Sequence, residues 1–409
     1  MDAYKVLTPD EAVNYIRETV NMFSNEDELV AKQLTGSSQS VDGHVNVIIV
    51  IRSVKNNKSV ILKQMMPYLK SSTGERVYKL IPLDRIKAEV DSIKLWDTIC
   101  PDSVPKIYLW DDVNKILVME DLSRLKIMSS ELLKRKKVPE LSKQLGTFLG
   151  KTAFYTSDLF LTYDEKNSLK NVFTTCNIKY LWEDLMFNGP ILDNSNYHIN
   201  VKVKEDMDNL CSNRKVRQEV IQLRDIYRNK KQCLIHSDLH TSNIFVGSNE
   251  MRVFDTEFAT YGPISFDIGR LLSSLVLNYA SLLGLEDIPE TEKKDYQEYL
   301  LEMIEAIYRE FNDAFHAAWE QHLNKSNDYQ TYYNQFYRKS TLKETLGFLA
   351  CASLIRIYDE GLCFDFQRID DLEKRGIGQK FIIKLAKNLL LYNRKIHKIE
   401  ELKEFIKAL

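Results

Sequence analysis

The sequence predicts an α+β fold of two unequal lobes: a small mixed β/α lobe over residues 1–122 and a large, mainly helical lobe over 123–409. Composition is the first reason. The 409 residues hold only 14 glycines and 9 prolines, below the ~7% and ~5% usual in globular chains, while Lys, Glu and Leu are plentiful. Pattern is the second. Short β-branched runs cluster before residue 122, and long helical periodicities dominate after about residue 131. The third is a single β-rich interruption of the helical half, at residues 233–254. Hydrophobic residues make up 44% of the chain, enough for a core, which excludes a disordered chain.

The elements follow in order. Residues 8–23 (TPDEAVNYIRETVNMF) predict a helix. Thr8 can cap it, Pro9 suits its first turn, and Glu11 completes a capping box. Ala12, Val13, Ile16, Val20 and Phe23 recur at helical spacing. Residues 45–51 and 59–64 are β-branched runs joined by the polar turn 55–58, which predicts a hairpin. Residues 84–96 (DRIKAEVDSIKLW) read as one helix, followed by strands at 104–110 and 115–119. Long helices are expected at 141–155, 214–229, 290–318 and 381–398.

Charge and cysteine usage narrow the function classes. Lys plus Arg total 56 and Asp plus Glu 58, a net charge of -2. That balance gives no footprint for nucleic acid or an anionic membrane, so the partners expected are small molecules or other proteins. Cys100, Cys176, Cys211, Cys233, Cys351 and Cys363 form no CxxC pair. They read as reduced, mostly buried thiols of a cytoplasmic protein. No basic-then-apolar leader is evident, and no apolar run approaches ~18 residues, so neither a signal peptide nor a membrane span is expected.

The β-rich interruption carries the chemistry. It reads CLIHSDLHTSNIFVGSNEMRVFDTEFATYGPISFDIGRLL. A first strand ends at His236-Ser237-Asp238, Asn243 lies five residues beyond Asp238, and paired strands at 244–246 and 252–254 lead to Asp255 and Glu257. An acid, an amide five residues on and an acid beyond a short hairpin are the parts of a phosphoryl-transfer site. One Asp must lie near the nucleophilic hydroxyl, and an Asn and a second Asp must hold Mg²⁺ against ATP phosphates. The protein-kinase pattern is H-R-D-x-x-x-x-N followed by D-F-G. Here Asp255-Thr256-Glu257 stands in place of the latter. Alternation along an extended segment would put Glu257 on the side of Asp255. A lone D-x-x-x-x-N arises often by chance. The upstream lobe adds Lys63 at the end of VILK and Glu89 on the following helix, as a kinase would, so the fold expected is protein-kinase-like. No HExxH, GxSxG or GxxxxGK[ST] occurs. His236 and His240 straddle a loop, so a structural His236 bonded to backbone is expected rather than a zinc site.

At these residues the chain resembles the methylthioribose kinases, of the aminoglycoside-phosphotransferase branch of the protein-kinase-like fold. HSDLHTSNIFV and VFDTEFATYGPISFDIG carry the resemblance. Residues 42–46 (DGHVN), ILKQMMPYLK, PLDRIKAE, VMEDLSRLKI and LGKTAFYTSD agree with it. The likeness is strongest over 40–160 and 233–275. It implies ATP-dependent phosphorylation of the 1-hydroxyl of 5-methylthioribose within methionine salvage, with Mg²⁺ and a homodimer. By position, Asn46 and Lys63 would contact ATP phosphates, and Glu120, Asp121 and Leu122 would offer backbone groups to adenine. Asp238 would orient or deprotonate the sugar hydroxyl and Arg356 would lie beside the sugar. Asp255 and Glu257, with Asn243, would hold the metal, and Thr256 between them counts among the nucleotide-binding residues.

Three departures qualify the resemblance. The family usually carries two adjacent arginines on a late helix, and Leu354-Ile355-Arg356-Ile357 offers one. Asn243 stands where the family often has a small residue. The loop 71–78 lacks a tryptophan, for which Tyr78 would substitute. The nucleotide loop holds Gly36 and Gly43 but no G-x-G-x-x-G, so phosphate grip is expected from Asn46, Lys63 and the metal. A sister kinase for another small alcohol (5-deoxyribose, choline or an aminoglycoside) and a non-reacting pseudokinase-like scaffold are the alternatives.

Overall fold

In a computed structural model, the structure describes the chain except residues 1–4, 25, 35–45, 71–76, 139, 175–178, 194–198, 323–331, 333–336 and 359–362. Gly36, Gly43, residues 42–45, the loop 71–76 and Cys176 lie outside the described residues, as does the side chain of Tyr78.

Helix α1 (Pro9–Thr19) starts as its capping box requires: Thr8 accepts from the Glu11 amide, and Glu11 Oε2 accepts from the Thr8 amide at 2.9 Å. Strands β1 (Leu29–Leu34), β2 (Asn46–Ser53) and β3 (Ser59–Met65) follow. Then come the short pair β4 (Tyr68–Lys70) and β5 (Val77–Leu80), helix α2 (Arg85–Ile99), β6 (Ile107–Asp111) and β7 (Ile116–Glu120). The main sheet has the order β1-β2-β3-β7-β6 and is antiparallel throughout. Its two faces are both covered, which explains the near-continuous apolar runs of β2 and β3. Ala12 and Ile16 of α1, with Val20 just past its end, pack on Ile49, Ile51, Val60, Leu62, Ile116 and Val118. The other face sets Met65, Leu117 and Met119 against Ile86 and Val90 of α2. The register places Lys63 between Ile48 and Leu117, and so on the α2 side.

The second half is helical. It comprises β8 (Lys126–Ile127), α3 (Met128–Leu133), α4 (Leu141–Tyr155), α5 (Tyr163–Thr174) and α6 (Lys179–Glu183), which runs into a wider turn at Asp184–Asp193. Helices α7 (Lys204–Cys211) and α8 (Arg214–Asn229) lead to four short strands. These are β9 (Cys233–Ile235), β10 (Ile244–Val246), β11 (Met251–Val253) and β12 (Thr260–Gly262). Then follow α9 (Ile264–Ser281), α10 (Glu290–His322), α11 (Arg338–Tyr358), α12 (Phe364–Gln367), α13 (Leu372–Tyr392) and α14 (Glu400–Lys407). Every residue of α9 except Ser274 is buried, so this helix is the axis on which the others pack.

Three differences from the sequence reading have local causes. β12, a strand too short to announce itself in the sequence, pairs with β9, while β10 pairs with β11 and β8. The helix expected at 381–398 begins at Leu372, because Asp371 caps it through the amides of Glu373 and Lys374, and ends at Tyr392. The small lobe gains β1, an edge strand with little apolar content facing the core. Among the described residues five cysteines are free and buried, and no helix is long and apolar enough to cross a membrane.

Candidate active site

Three backbone segments build the site. The first is β3 with α2. Lys63 leaves the sheet towards α2 and is 3% exposed. Its Nζ lies 2.8 Å from the Glu89 carboxylate, 2.5 Å from Asp255 Oδ1 and 3.7 Å from Glu257 Oε2. Burial opposes the charge, but Asp255, then Glu89 and Glu257, outweigh it and raise the ammonium above its ordinary value. Burial pushes the Glu89 carboxyl up to about 7, against the pull of Lys63.

The second segment follows β11. Asp255 takes a left-handed φ of 60°, a conformation that costs a non-glycine residue energy and concentrates at functional sites. This bend, not strand alternation, turns Asp255 and Glu257 to one place. One oxygen from each of Glu89, Asp255 and Glu257 lies within 4.8 Å of the others. Glu257 Oε2 is held by Asn46 Nδ2 at 2.9 Å and Arg85 Nε at 3.1 Å, while Arg85 Nη2 donates to Asn46 Oδ1 at 2.8 Å. Both ends of the Asn46 amide are thus engaged. Glu257 Oε1 is buried with no hydrogen-bond partner among the described residues. An unpartnered buried carboxylate oxygen within such an acidic group is what a hard divalent cation satisfies, so these residues fit Mg²⁺. Thr256 turns the other way: its hydroxyl meets Ser92 Oγ at 2.7 Å and donates to the Glu89 carbonyl. Its side chain fastens the bend to α2.

The third segment leaves β9. Ser237 has φ 68°, and Asp267 of α9 holds that turn by accepting the His236 amide at 2.6 Å and the Ser237 amide at 2.9 Å. Burial pushes the Asp267 carboxyl up to about 6. Asp238 projects from the turn with its side chain 14% exposed. Arg270, three residues beyond Asp267 on α9, donates through Nη2 to Asp238 Oδ1, and His240 Nε2 lies 3.6 Å from the same oxygen. Burial works against the Asp238 charge. Arg270 above all, then His240 and Arg356, hold its carboxyl well below the usual carboxylate range. Burial pushes the His240 imidazole down to about 4, so it is neutral at neutral pH. Asn243 laces the two loops together: its Nδ2 donates to the Asp238 carbonyl at 3.0 Å and its carbonyl accepts the Phe254 amide at 3.1 Å. His236, as expected, is structural, with Nε2 3.0 Å from the Phe254 carbonyl and its ring stacked on Trp96.

At the lobe junction, the Glu120 amide bonds the Lys106 carbonyl and the Leu122 carbonyl accepts from Leu125. Asp121 accepts from Arg52 at 3.1 Å and from the Ser123 amide at 2.9 Å.

Sequence reasoning passed over Arg85, Asp267, Arg270 and Trp182. Two of these left a signal. Asp267 and Arg270 are charges spaced three apart inside the otherwise apolar α9, and buried charges in such a helix have a specific task. Arg270 is a second arginine whose charge acts on Asp238. It comes from α9, and its charge and that of Arg356 on α11 act on each other and on Asp238.

The model of the phosphotransferase enzyme family matches residues 181–321. The methylthioribose kinase of Geobacillus sp. (strain WCH70) is 28% identical over 400 residues, covering 98% of this chain and 95% of that protein. That of Geobacillus kaustophilus (strain HTA426) is 29% identical over 396 residues, covering 96% and 94%. Among solved structures, choline kinase from Cryptosporidium parvum Iowa II aligns over 98% of this chain and 100% of its own at 12% identity, with a TM-score of 0.48. Over residues 181–321 the chain thus matches the phosphotransferase enzyme family, and over nearly its whole length it is similar to methylthioribose kinases.

Proposed function

We propose that the chain is an ATP-dependent kinase that phosphorylates the 1-hydroxyl of 5-methylthioribose to the 1-phosphate. One observation carries the proposal: in a chain similar to methylthioribose kinases over nearly its whole length, Lys63, Asp255 and Glu257 cluster beside the turn that presents Asp238. Residues 1–122 would form the nucleotide lobe and 123–409 the catalytic lobe. Lys63 would bind ATP phosphates, and Asn46, already tied to Glu257, would steady that end of the nucleotide. Leu122, with Glu120 and Asp121, would receive adenine through backbone groups. Asp255, Glu257 and Asn243 would hold Mg²⁺, which supplies charge neutralisation when bound.

Asp238 would accept a hydrogen bond from the sugar hydroxyl. Because its carboxyl is held far below neutral pH, it is a weak base. In a loose phosphoryl-transfer transition state the attacking oxygen has little bonding to phosphorus and its proton becomes acidic only late, so orientation is the larger contribution and the proton moves last. Arg356, whose charge reaches Asp238, would face the acceptor and the developing phosphate charge. Two guanidinium groups near Asp238 also weigh against choline or an aminoglycoside, since a cationic acceptor would meet like charge. A cytoplasmic homodimer acting in methionine salvage completes the proposal.

The test is ATP consumption with 5-methylthioribose, 5-deoxyribose and choline, with and without Mg²⁺. Turnover highest with 5-methylthioribose and dependent on Mg²⁺ is expected. Faster turnover of either other alcohol moves the acceptor, and ATP binding without turnover on any of them leaves a scaffold.

A further inference from the structure

Arg270 is a costly residue to bury. It is 3% exposed, its Nε has no hydrogen-bond partner among the described residues, and its guanidinium lies 4.2 Å from the centre of the Trp182 ring. Trp182 is itself buried and packs edge-on against Phe258, one residue past Glu257. A buried ion pair with an unsatisfied donor is poor at stabilising a fold, because desolvation consumes most of the Coulombic gain. A residue kept under those terms calls for another explanation.

Its place on α9 supplies one. Asp267 and Arg270 stand three residues apart, on one face of that buried helix. Asp267 grips the backbone of the catalytic turn at His236 and Ser237, and Arg270 grips the side chain of the next residue, Asp238. Backbone and carboxylate are therefore referred to the same rigid element. Arg270 and His240 both approach Oδ1 of Asp238. Oδ2 has no hydrogen-bond partner among the described residues.

We propose that Arg270 is a positioning residue for phosphoryl transfer: stacked on Trp182, it holds Asp238 through Oδ1 and leaves Oδ2 to receive the acceptor hydroxyl. This rests on the kinase reading above. The ion pair fixes the carboxylate plane, the Trp182 ring fixes the guanidinium, and the hydroxyl meets an acceptor with one available direction. A misplacement of about 1 Å in such an arrangement costs on the order of 10²-fold in rate.

The experiment compares wild type with Arg270→Met, Arg270→Lys and Arg270→Ala, the last with and without guanidinium ion, measuring kcat and the KM for ATP. Arg270→Met keeps the packing volume and is expected to lower kcat about 10²-fold with the KM for ATP within about threefold. Arg270→Lys keeps one donor and should lose only about tenfold, and guanidinium should raise the kcat of Arg270→Ala in a saturable way. A purely structural role would give neither recovery. An Arg270→Met kcat within about threefold of wild type overturns the inference, as does a loss that neither lysine nor guanidinium relieves. If the Met and Ala chains do not fold, Arg270→Lys decides alone, and a kcat within about threefold of wild type, or a chain that also fails to fold, overturns the inference. A wild type that turns over no alcohol overturns the kinase reading and this inference together. A wild type that is active beside an equally active Arg270→Met overturns the inference alone.

Discussion

Asp238 sits under Arg270, His240 and Arg356, and its charge is the one the catalytic turn is built to keep. Replacing it with alanine removes the acceptor for the hydroxyl without touching the Lys63 cluster. Asp238→Ala should therefore lose about 10²–10⁴-fold in kcat while ATP affinity, read by calorimetry, stays near wild type. Near-wild-type turnover would remove Asp238 from the chemistry. Asp267 behaves differently with pH. Burial raises its folded carboxyl to about 6, above the ordinary carboxylate range, so between that range and pH 6 the folded state holds a proton that the unfolded state has released. Stability from this group therefore falls as pH rises through that window. The Tm gap between wild type and Asp267→Asn should be wider at pH 5 than at pH 7. A gap that narrows on acidification contradicts the assignment.

At the scale of elements, the helical half depends on two helices meeting almost backbone to backbone. Gly146 and Gly150 lie one turn apart on α4 and face α10. A Cβ on Gly150 would stand 2.7 Å from the Phe311 carbonyl oxygen and 2.8 Å from the Phe315 amide nitrogen, neither of which can swing aside. Glycine-to-alanine inside a helix ordinarily stabilises by about 1 kcal/mol. Here the overpacking cost of about 1–3 kcal/mol exceeds it, so Gly150→Ala should lower the urea midpoint. A raised midpoint would mean that α4 and α10 separate easily. The spans of α4 and α8 were legible because their apolar stripes repeat without interruption. The start of α13 was not, because the signal there is a single capping aspartate, Asp371, ahead of a mixed first turn.

Across the whole molecule, the first 122 residues and the helical half meet through charge. Lys63, Glu89, Asn46 and Arg85 come from the first 122 residues, and Asp255 and Glu257 come from the far side of the chain. Lys63 and Arg85 face the carboxylates of Glu89, Asp255 and Glu257, and among the described residues Glu257 Oε1 has no hydrogen-bond partner. ATP with Mg²⁺ should thus raise Tm, by the linkage that gives about 2.7 kcal/mol at a hundred times Kd. Chelation should remove most of that rise. Glu257→Gln should keep the response to ATP alone and lose the part that depends on the cation. An identical Mg²⁺ response in that variant would place the cation elsewhere.

The sequence by itself determined the two-lobe α+β order and the parts of the site that are local in the chain. Lys63 lies on a β-branched strand, Asp238 and Asn243 share one loop, and Asp255 and Glu257 share one bend, so residue type and spacing suffice to find them. The tertiary structure alone decided what surrounds them. Arg85 reaches Glu257 across 172 positions, and Arg270 reaches Asp238 across 32. Neither has a motif, because its role is set by the packing of a helix against a loop, not by neighbours along the chain. The physical reason is burial. Desolvation makes each of these charges costly unless a particular partner stands opposite, and only the folded chain says which partner that is.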